Sequence, residues 1–149
     1  MNAGRHSVSR CTGRVLAGLL CSVVLGACDF LPSAPESRAE YFVEKLIRDP
    51  QAADELRSVA RLTEGESADA LANDLPTRAA LTYLRARQRL DAKLGFHVAD
   101  TQRPAPDKRV VNVVVSEGVA ALGEGTAVRF QVELQKQEGA WLVTRLRSD

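Results

Sequence analysis

The C-terminal third of the chain constrains the fold most. Residues 109–116 are rich in valine, residues 126–135 alternate between apolar and polar side chains, and residues 141–147 open on a tryptophan after a glycine turn. Runs of β-branched residues and strict alternation are typical of strands. Strands that follow one another without a crossover helix pair antiparallel. The pattern predicts an antiparallel meander, to which residues 96–101 add a first strand.

The preceding part of the chain has the helical period. Apolar residues recur there at spacings of three and four, and proline or glycine interrupts the pattern at points that predict four helices. Ser33 with Glu36 fits a capping box at the first helix, and the fourth begins at Pro76 and is closed by Gly95. We therefore predict an α+β domain over residues 36–149, with N-terminal helices packed on a C-terminal curved four-stranded antiparallel sheet.

Length and charge narrow the classes of function. A chain of 149 residues suits one domain. The net charge is +1, but the three charges in residues 1–27 are all positive. The rest of the chain has 17 Lys and Arg against 19 Asp and Glu, so it is close to neutral. A near-neutral domain gives no electrostatic reason to expect nucleic acid as a partner.

The first 27 residues have the layout of a secretory signal. A basic stretch precedes an apolar run at residues 15–27, which ends in small side chains. A helix of that length covers about 20 Å, whereas a hydrocarbon core is about 30 Å thick. The run is therefore better suited to export than to a permanent membrane span.

The apolar run ends in Leu25-Gly26-Ala27-Cys28, which resembles the lipobox of bacterial lipoproteins. The resemblance implies that the Cys28 thiol receives diacylglycerol, that residues 1–27 are removed, and that a fatty acid such as palmitate acylates the new amino group. Residues 28–35 then form the lipidated cysteine and a short tether, which reaches at most about 25 Å. The alternatives are an ordinary secretory signal with a chance cysteine and an uncleaved signal anchor.

These features predict a domain that faces the periplasm and is anchored to a bacterial envelope membrane. Asp29 directly after Cys28 resembles a signal for retention in the inner membrane, although other lineages sort differently, so both membranes stay open. No cysteine follows Cys28, so the mature domain has neither an internal disulfide nor a thiolate metal cluster. No motif for a cofactor or a metal ion is apparent.

The strand that begins Gly139-Ala140-Trp141-Leu142-Val143 resembles the last hairpin of nuclear-transport-factor-two-like domains, a superfamily of cone-shaped α+β folds. The resemblance extends in element order over about residues 36–147. Because that superfamily contains enzymes and non-catalytic binding proteins, the resemblance implies a fold and does not choose a function.

Four basic residues form the first candidate site. Their spacing of 7, 4 and 4 places them on one stripe of the predicted fourth helix, with Arg87 beside it. Close to a membrane, such a stripe contacts anionic headgroups. The alternative is a solvated helix face balanced by acidic neighbours. The residues are Arg78, Arg85, Arg89 and Lys93.

Tyr41, Tyr83 and Asp100 form the second candidate site, a small-molecule pocket between the helices and the sheet. The alternative is that both tyrosines belong to the edge of the core. His97 lies three positions before Asp100, so strand alternation predicts opposite faces for the two side chains. We expect His97 to have a surface or packing role.

The sequence therefore favours a membrane-anchored lipoprotein, not an enzyme, whose exported domain binds a protein or an envelope component. The alternative is a small-ligand-binding or isomerase-like domain with a pocket between helices and sheet, and a structural envelope protein is a third interpretation. The oligomeric state stays open.

Overall fold

The fold is seen in a computed structural model, which describes residues 33–118 and 126–149. The predicted signal segment and Cys28 lie outside the described residues. None of the described helices has the length and apolar character needed to cross a membrane. In chain order the elements are α1 (Pro35–Arg48), α2 (Ala53–Val59), a 3₁₀ turn (Ala68–Leu71), α3 (Leu75–Arg89), β1 (Leu94–Ala105), β2 (Lys108–Glu117), β3 (Ala127–Gln137) and β4 (Ala140–Ser148).

The four strands form one antiparallel sheet in the order β1-β2-β3-β4, which confirms the predicted α+β class and meander. Glu138 and Gly139 form the two-residue turn between β3 and β4, and both have positive φ angles, 49° and 87°. Two successive residues in that conformation make the hairpin turn that matches the twist of the strands. β1 is longer than predicted and includes Pro104, because a strand at the edge of a sheet tolerates proline.

The predicted helix boundaries were partly wrong. The first helix has Ala34 as its N-cap, which makes no side-chain capping bond, so the capping box of Ser33 and Glu36 does not form. The predicted third helix is only the 3₁₀ turn, Ala68–Leu71. α3 ends at Arg89, well before Gly95, because Asp91 adopts a left-handed φ of 58° that turns the chain out of the helix.

The core lies between α1 and the face of the sheet that is turned towards it. Phe42 on α1 and Phe130 on β3 are fully buried, and both belong to one apolar cluster with the central strands. Along β2 the valines of this face are also fully buried. Because the side chains at these positions are branched or aromatic, they fill the space between the helix and the sheet. The β2 residues are Val111, Val113 and Val115.

Thr77 joins the start of α3 to the end of the sheet. Asp74 is the N-cap of α3, and its carboxylate accepts hydrogen bonds from the Thr77 backbone N–H at 2.8 Å and the Thr77 hydroxyl at 2.7 Å. The Thr77 oxygen in turn accepts a bond from the Ser148 backbone N–H at 2.7 Å. Thr77 is fully buried. The two bonds from Thr77 hold the pKa of the Asp74 carboxyl below its usual value.

Replacing Thr77 with valine is expected to lower the free energy of unfolding by about 1–3 kcal/mol at neutral pH, because the Ser148 N–H loses its acceptor. The difference in the free energy of unfolding between the wild type and this variant should become smaller in acid. The pKa of Asp74 is lowered by folding, so its contribution is present above the pKa of the unfolded chain and is lost as the pH falls through the folded-state pKa. Urea titrations at pH 7 and in acid measure both effects.

Thr82→Val is the matched control for this substitution. Thr82 lies on the same helix, is exposed, and donates only to the Arg78 carbonyl of its own helix. We expect a change within about 0.5 kcal/mol. Equal effects of the two substitutions would show that the link between Thr77 and Ser148 does not stabilise the fold.

Candidate functional site

The predicted basic stripe is shorter in the structure than in the sequence. Arg78, Arg85 and Arg89 lie on α3, whereas Lys93 lies beyond its end because the helix stops at Arg89. Arg78 donates to the Ala72 carbonyl at 3.1 Å, so its guanidinium also holds the segment that leads into the helix. The stripe therefore consists of three arginines with different surroundings.

Arg85 connects three elements. Its Nε and Nη2 donate to the Leu46 carbonyl in the last turn of α1, at 3.1 and 2.9 Å. The same guanidinium pairs with both carboxylate oxygens of Asp69 in the 3₁₀ turn, at 2.7 and 3.1 Å. Only 17% of the Arg85 side chain is exposed. A cation at the C-terminal carbonyls of a helix also interacts favourably with the helix dipole, so Arg85 stabilises the packing of α1 against α3.

Arg85→Lys is expected to lower the free energy of unfolding by about 1–3 kcal/mol. The guanidinium donates to the Leu46 carbonyl and to the Asp69 carboxylate at the same time, and the ammonium group of a lysine cannot reproduce these bonds. Arg89→Lys is the matched control, since Arg89 lies one turn later and no hydrogen bond or ion pair of its side chain is seen within the described part of the chain. Thermal and urea unfolding of both variants measure the difference. A loss for Arg89→Lys as large as that for Arg85→Lys would contradict this role.

A cleft of about 410 Å³ opens between α2, residues 61–69 and α3. Arg57 of α2 lines it together with Arg85 and Arg89 of α3, and Glu66 and Asp69 contribute the carboxylates. Three guanidinium groups against two carboxylates leave one positive charge in excess among these side chains. This charged cleft is the part of the described surface that we take as the candidate site.

The charged groups of the cleft are unequally engaged. Glu66 accepts from the Thr63 backbone N–H at 3.0 Å and the Thr63 hydroxyl at 2.9 Å, and these bonds lower the pKa of its carboxyl. Arg57 pairs with the exposed Asp54 at 2.9 Å, while its buried Nε has no hydrogen-bond partner among the described residues. Since Arg85 is held by Asp69 and Arg57 is paired with Asp54, Arg89 is the cation of the cleft that has no ion pair among the described residues.

Sequence reasoning placed Arg85 and Arg89 on one helix face but missed Arg57. α2 has only seven residues and a thin apolar face, so nothing in its pattern showed which side it turns towards α3. The cleft depends on how two short elements pack, which is tertiary information. No local pattern in the sequence indicated that arginines from two helices would line the same cleft.

Tyr41, Tyr83 and Asp100 do not meet in one pocket. The Tyr41 hydroxyl donates to Glu55 at 2.7 Å, and the same carboxylate pairs with Lys45 at 2.7 Å. Tyr83 is 41% exposed on α3. Asp100 lies on the outer face of the sheet, away from α1 and α3. These three residues therefore do not form one site, and the prediction of a pocket that contains all three is wrong.

The Tyr41 cluster consists of the ion pair of Lys45 with Glu55 and the Tyr41 hydroxyl that donates to the same carboxylate. Partial burial and the hydrogen bond to Glu55 raise the pKa of the Tyr41 hydroxyl. The Glu55 carboxyl has a lowered pKa because Lys45 and then Tyr41 donate to it. The raised pKa keeps the tyrosine protonated, and the lowered pKa keeps the carboxylate ionised. Tyr41 and Lys45 of α1 therefore both bond Glu55 of α2, so the cluster links the two helices. This arrangement is not that of a general base poised for catalysis.

A β-bulge changes the expected relation of His97 and Asp100. The pairing of β1 with β2 shifts between Val98 and Asp100, so His97 faces Val114 while Asp100 faces Asn112. Because Val114 and Asn112 lie two apart on β2, His97 and Asp100 are on the same, outer face of the sheet. The prediction of opposite faces was therefore wrong. Strand alternation holds only where no residue is inserted.

Asp100 has a partner on that face. Asn112 donates its Nδ2 to the Asp100 carboxylate at 2.8 Å, and the Asn112 side chain is almost wholly buried. The Asn112 Oδ1 accepts no hydrogen bond from the described residues. Asp100 thus fixes a polar side chain in the middle of the sheet, and its position does not support a role in a pocket between helices and sheet.

Among the described residues, no three or more His, Cys, Asp and Glu side chains come together in a way that could hold a metal ion.

Comparison with known proteins identifies no family for this chain. No protein-family model matches it, and no curated protein matches it. Among solved structures, it is similar to a designed nuclear-transport-factor-two-like protein, with 13% identity and a TM-score of 0.43 over 75% of this chain and 94% of that one. The similarity is one of fold alone. At this TM-score it carries no argument about ligand, partner or activity.

Proposed function

We propose that this chain is a lipid-anchored protein of the bacterial envelope and that its domain binds a partner in the arginine-lined cleft between α2 and α3. The partner is an envelope protein or another envelope component that presents a carboxylate or a phosphate. The domain acts by binding, without catalysis. Lipid on Cys28 keeps it beside the membrane.

The cleft is the observation that carries this proposal. Arg57 and Arg89 line it from two different helices. Arg89 has no ion pair among the described residues, and Arg57 is paired only with the highly exposed Asp54, while Arg85 is held in place by Asp69 and the end of α1. Arginine binds carboxylates and phosphates through a planar fork of donors, which gives both strength and orientation. A cleft lined by such forks suits an anionic group on a larger partner.

The space between helices and sheet supports the same conclusion. Phe42, Phe130 and the β2 valines are fully buried and occupy it with side chains. A small-ligand or isomerase-like site there requires a cavity with convergent polar groups, and Tyr41, Tyr83 and Asp100 do not converge. The geometry therefore favours a surface that binds over an interior that encloses a substrate.

The anchor is supported by the sequence and by where the domain begins. α1 starts at Pro35, seven positions after Cys28, so the segment between them spans at most about 25 Å. Two or three acyl chains hold a protein on a bilayer stably. A partner of this cleft is therefore expected in or close to the same membrane.

In-cell crosslinking of a C-terminally tagged copy tests the proposal. Wild type should give a discrete crosslinked partner. Arg89→Glu should reduce its yield about tenfold, which corresponds to losing one charge-assisted contact. Arg103→Glu is the matched control, because it makes the same charge change at an exposed position of β1 that does not line the cleft.

The outcomes separate the parts of the proposal. Loss of the partner in Cys28→Ser supports assembly at the membrane. Equal yields from Arg89→Glu and wild type contradict the cleft as the binding site, and the absence of any partner in all forms contradicts the binding role itself.

A further inference from the structure

The large apolar side chains that are exposed in the described residues all lie on α3 or at its C-cap. Leu75 is 79% exposed at the start of α3, Leu90 is 71% exposed at its C-cap, and Tyr83 lies between them. The inward face of the helix has its own buried residues, among them Leu81 and Leu84. α3 is therefore apolar on a second side, which the described part of the domain does not cover.

Helix geometry places the two exposed leucines on one stripe. Spacings of 4, 3, 4 and 4 lead from Leu75 to Leu90 through three small exposed residues, and such spacings keep residues on one face of a helix. The hydroxyl of the middle residue is bonded to a carbonyl of its own helix, so it adds little polarity. The stripe is about 22 Å long at 1.5 Å per residue. We call it the α3 stripe, and its residues are Leu75, Ala79, Thr82, Ala86 and Leu90.

Only positive charge accompanies the α3 stripe on its own helix. α3 has four arginines and no Asp or Glu. Arg85 and Arg87 are neutralised by Asp69 and Glu117. Arg78 and Arg89, which lie along one border of the stripe, have no acidic partner within the described chain. Their long apolar stems can lie on a hydrophobic surface while the guanidinium groups reach polar groups above it.

We propose that the α3 stripe lies on the anionic phospholipid surface of the membrane that holds Cys28. An apolar strip bordered by cations is the composition of helices that bind at a lipid interface. Each cation near such a surface adds to the attraction. The inference rests on the proposed function in one respect, the lipid anchor at Cys28.

The shape of the stripe favours lipid over a protein partner. Protein interfaces usually have a large aromatic or arginine anchor near the centre, in a well-packed pocket. Here the centre is Ala79, Thr82 and Ala86, and the two leucines stand at the ends. The aromatic residue of this side of α3, Tyr83, lies along the border opposite the arginines, and its side chain is 41% exposed. A fluid lipid surface needs no matching pocket and accepts two separated leucines equally well. The tether supports the same occupant, because Pro35 is seven positions from Cys28 and the domain cannot move far from the headgroups.

The test uses the lipidated mature chain in vesicles, with one fluorescent label at Ala86→Cys. The only other cysteine in residues 28–149 is Cys28, whose thiol is acylated in this proposal, so the label attaches at one place. In vesicles that contain phosphatidylglycerol, access of the neutral quencher acrylamide to the label should fall to roughly half or less of its value in phosphatidylcholine vesicles, because interfacial helices bury their apolar face below the headgroups. A label at Ala99→Cys, an exposed alanine of β1, is the matched control and should show no difference.

A second variant makes the result specific. Leu75→Asp combined with Leu90→Asp changes two exposed side chains, so the fold is retained, and it should restore full quenching at position 86. Shielding of position 86 by anionic lipid that disappears in this variant supports the proposal. Equal quenching at positions 86 and 99 in anionic vesicles overturns it.

Further outcomes distinguish the lipid contact from a protein contact and from the anchor at Cys28. Shielding in native membranes but not in lipid vesicles overturns the lipid contact and indicates a protein on the stripe. If the chain stays on the vesicles with position 86 exposed, the contact alone fails. A chain that does not associate with vesicles at all overturns the anchor at Cys28 together with the contact.

Discussion

Cys28→Ser is expected to leave the precursor uncut and without lipid. The lipobox interpretation requires a thiol at position 28, because diacylglycerol is attached through sulfur before the peptide is cleaved. A serine hydroxyl is not a substitute, so we expect complete loss of lipid labelling and a product that is larger by residues 1–27. Metabolic labelling with a fatty acid, together with gel mobility and fractionation of membranes, measures all three properties.

Cys21→Ser is the matched control for this prediction. Cys21 lies within the apolar run at residues 15–27, so the lipobox interpretation expects it to be removed with that segment. The same substitution there should leave lipid labelling, size and membrane association unchanged. If the Cys28→Ser chain matured to the wild-type size and remained on membranes, lipid at Cys28 would not be the anchor. A chain cut at another position would indicate an ordinary secretory signal.

The sheet could be predicted from the sequence because its signal is local. Residues 126–135 alternate strictly, and the turn at Glu138 and Gly139 fixes the register of the last hairpin. The helices were less predictable. Leu90 and Leu94 fit the helical period, yet Leu90 is exposed at the C-cap of α3 and Leu94 is buried in β1. The helix ends at Arg89, and the left-handed conformation of Asp91 turns the chain away from the helix axis. An apolar residue at helical spacing does not show where the helix stops.

The candidate site was less predictable than the fold for a physical reason. Arg85 was singled out as part of a basic face, but its partners are the end of α1 and Asp69, which no spacing along α3 indicates. Arg57 joins the cleft only through the packing of a seven-residue helix. The bulge in β1 likewise depends on pairing with β2, and it moved Asp100 to the outer face. Contacts between elements decide these positions, so periodicity within one element could not place them.

Phe130→Ala is expected to lower the free energy of unfolding by about 3–5 kcal/mol, the largest effect we predict for a single change within the domain. Phe130 is fully buried on β3, one of the two inner strands of the sheet, within the core cluster that α1 shares. Removing its ring loses the transfer free energy of the side chain and leaves a cavity that branched neighbours cannot fill by rotating. Because a domain of this size is stable by only about 5–15 kcal/mol, a large part of the total is at stake. Urea-induced unfolding measures the loss.

Phe96→Ala is the matched control, since Phe96 also lies on a strand of the sheet but its side chain is only partly buried beside Arg48. Its loss of stability should be clearly smaller, because part of the ring is already in contact with water.

A second readout tests whether side chains fill the space between α1 and the sheet. An apolar cavity accepts small apolar molecules, so benzene should raise the unfolding temperature of Phe130→Ala and leave that of the wild type unchanged. If benzene stabilised the wild type equally, a cavity would already exist there, and the interior would again be a candidate site for a small ligand.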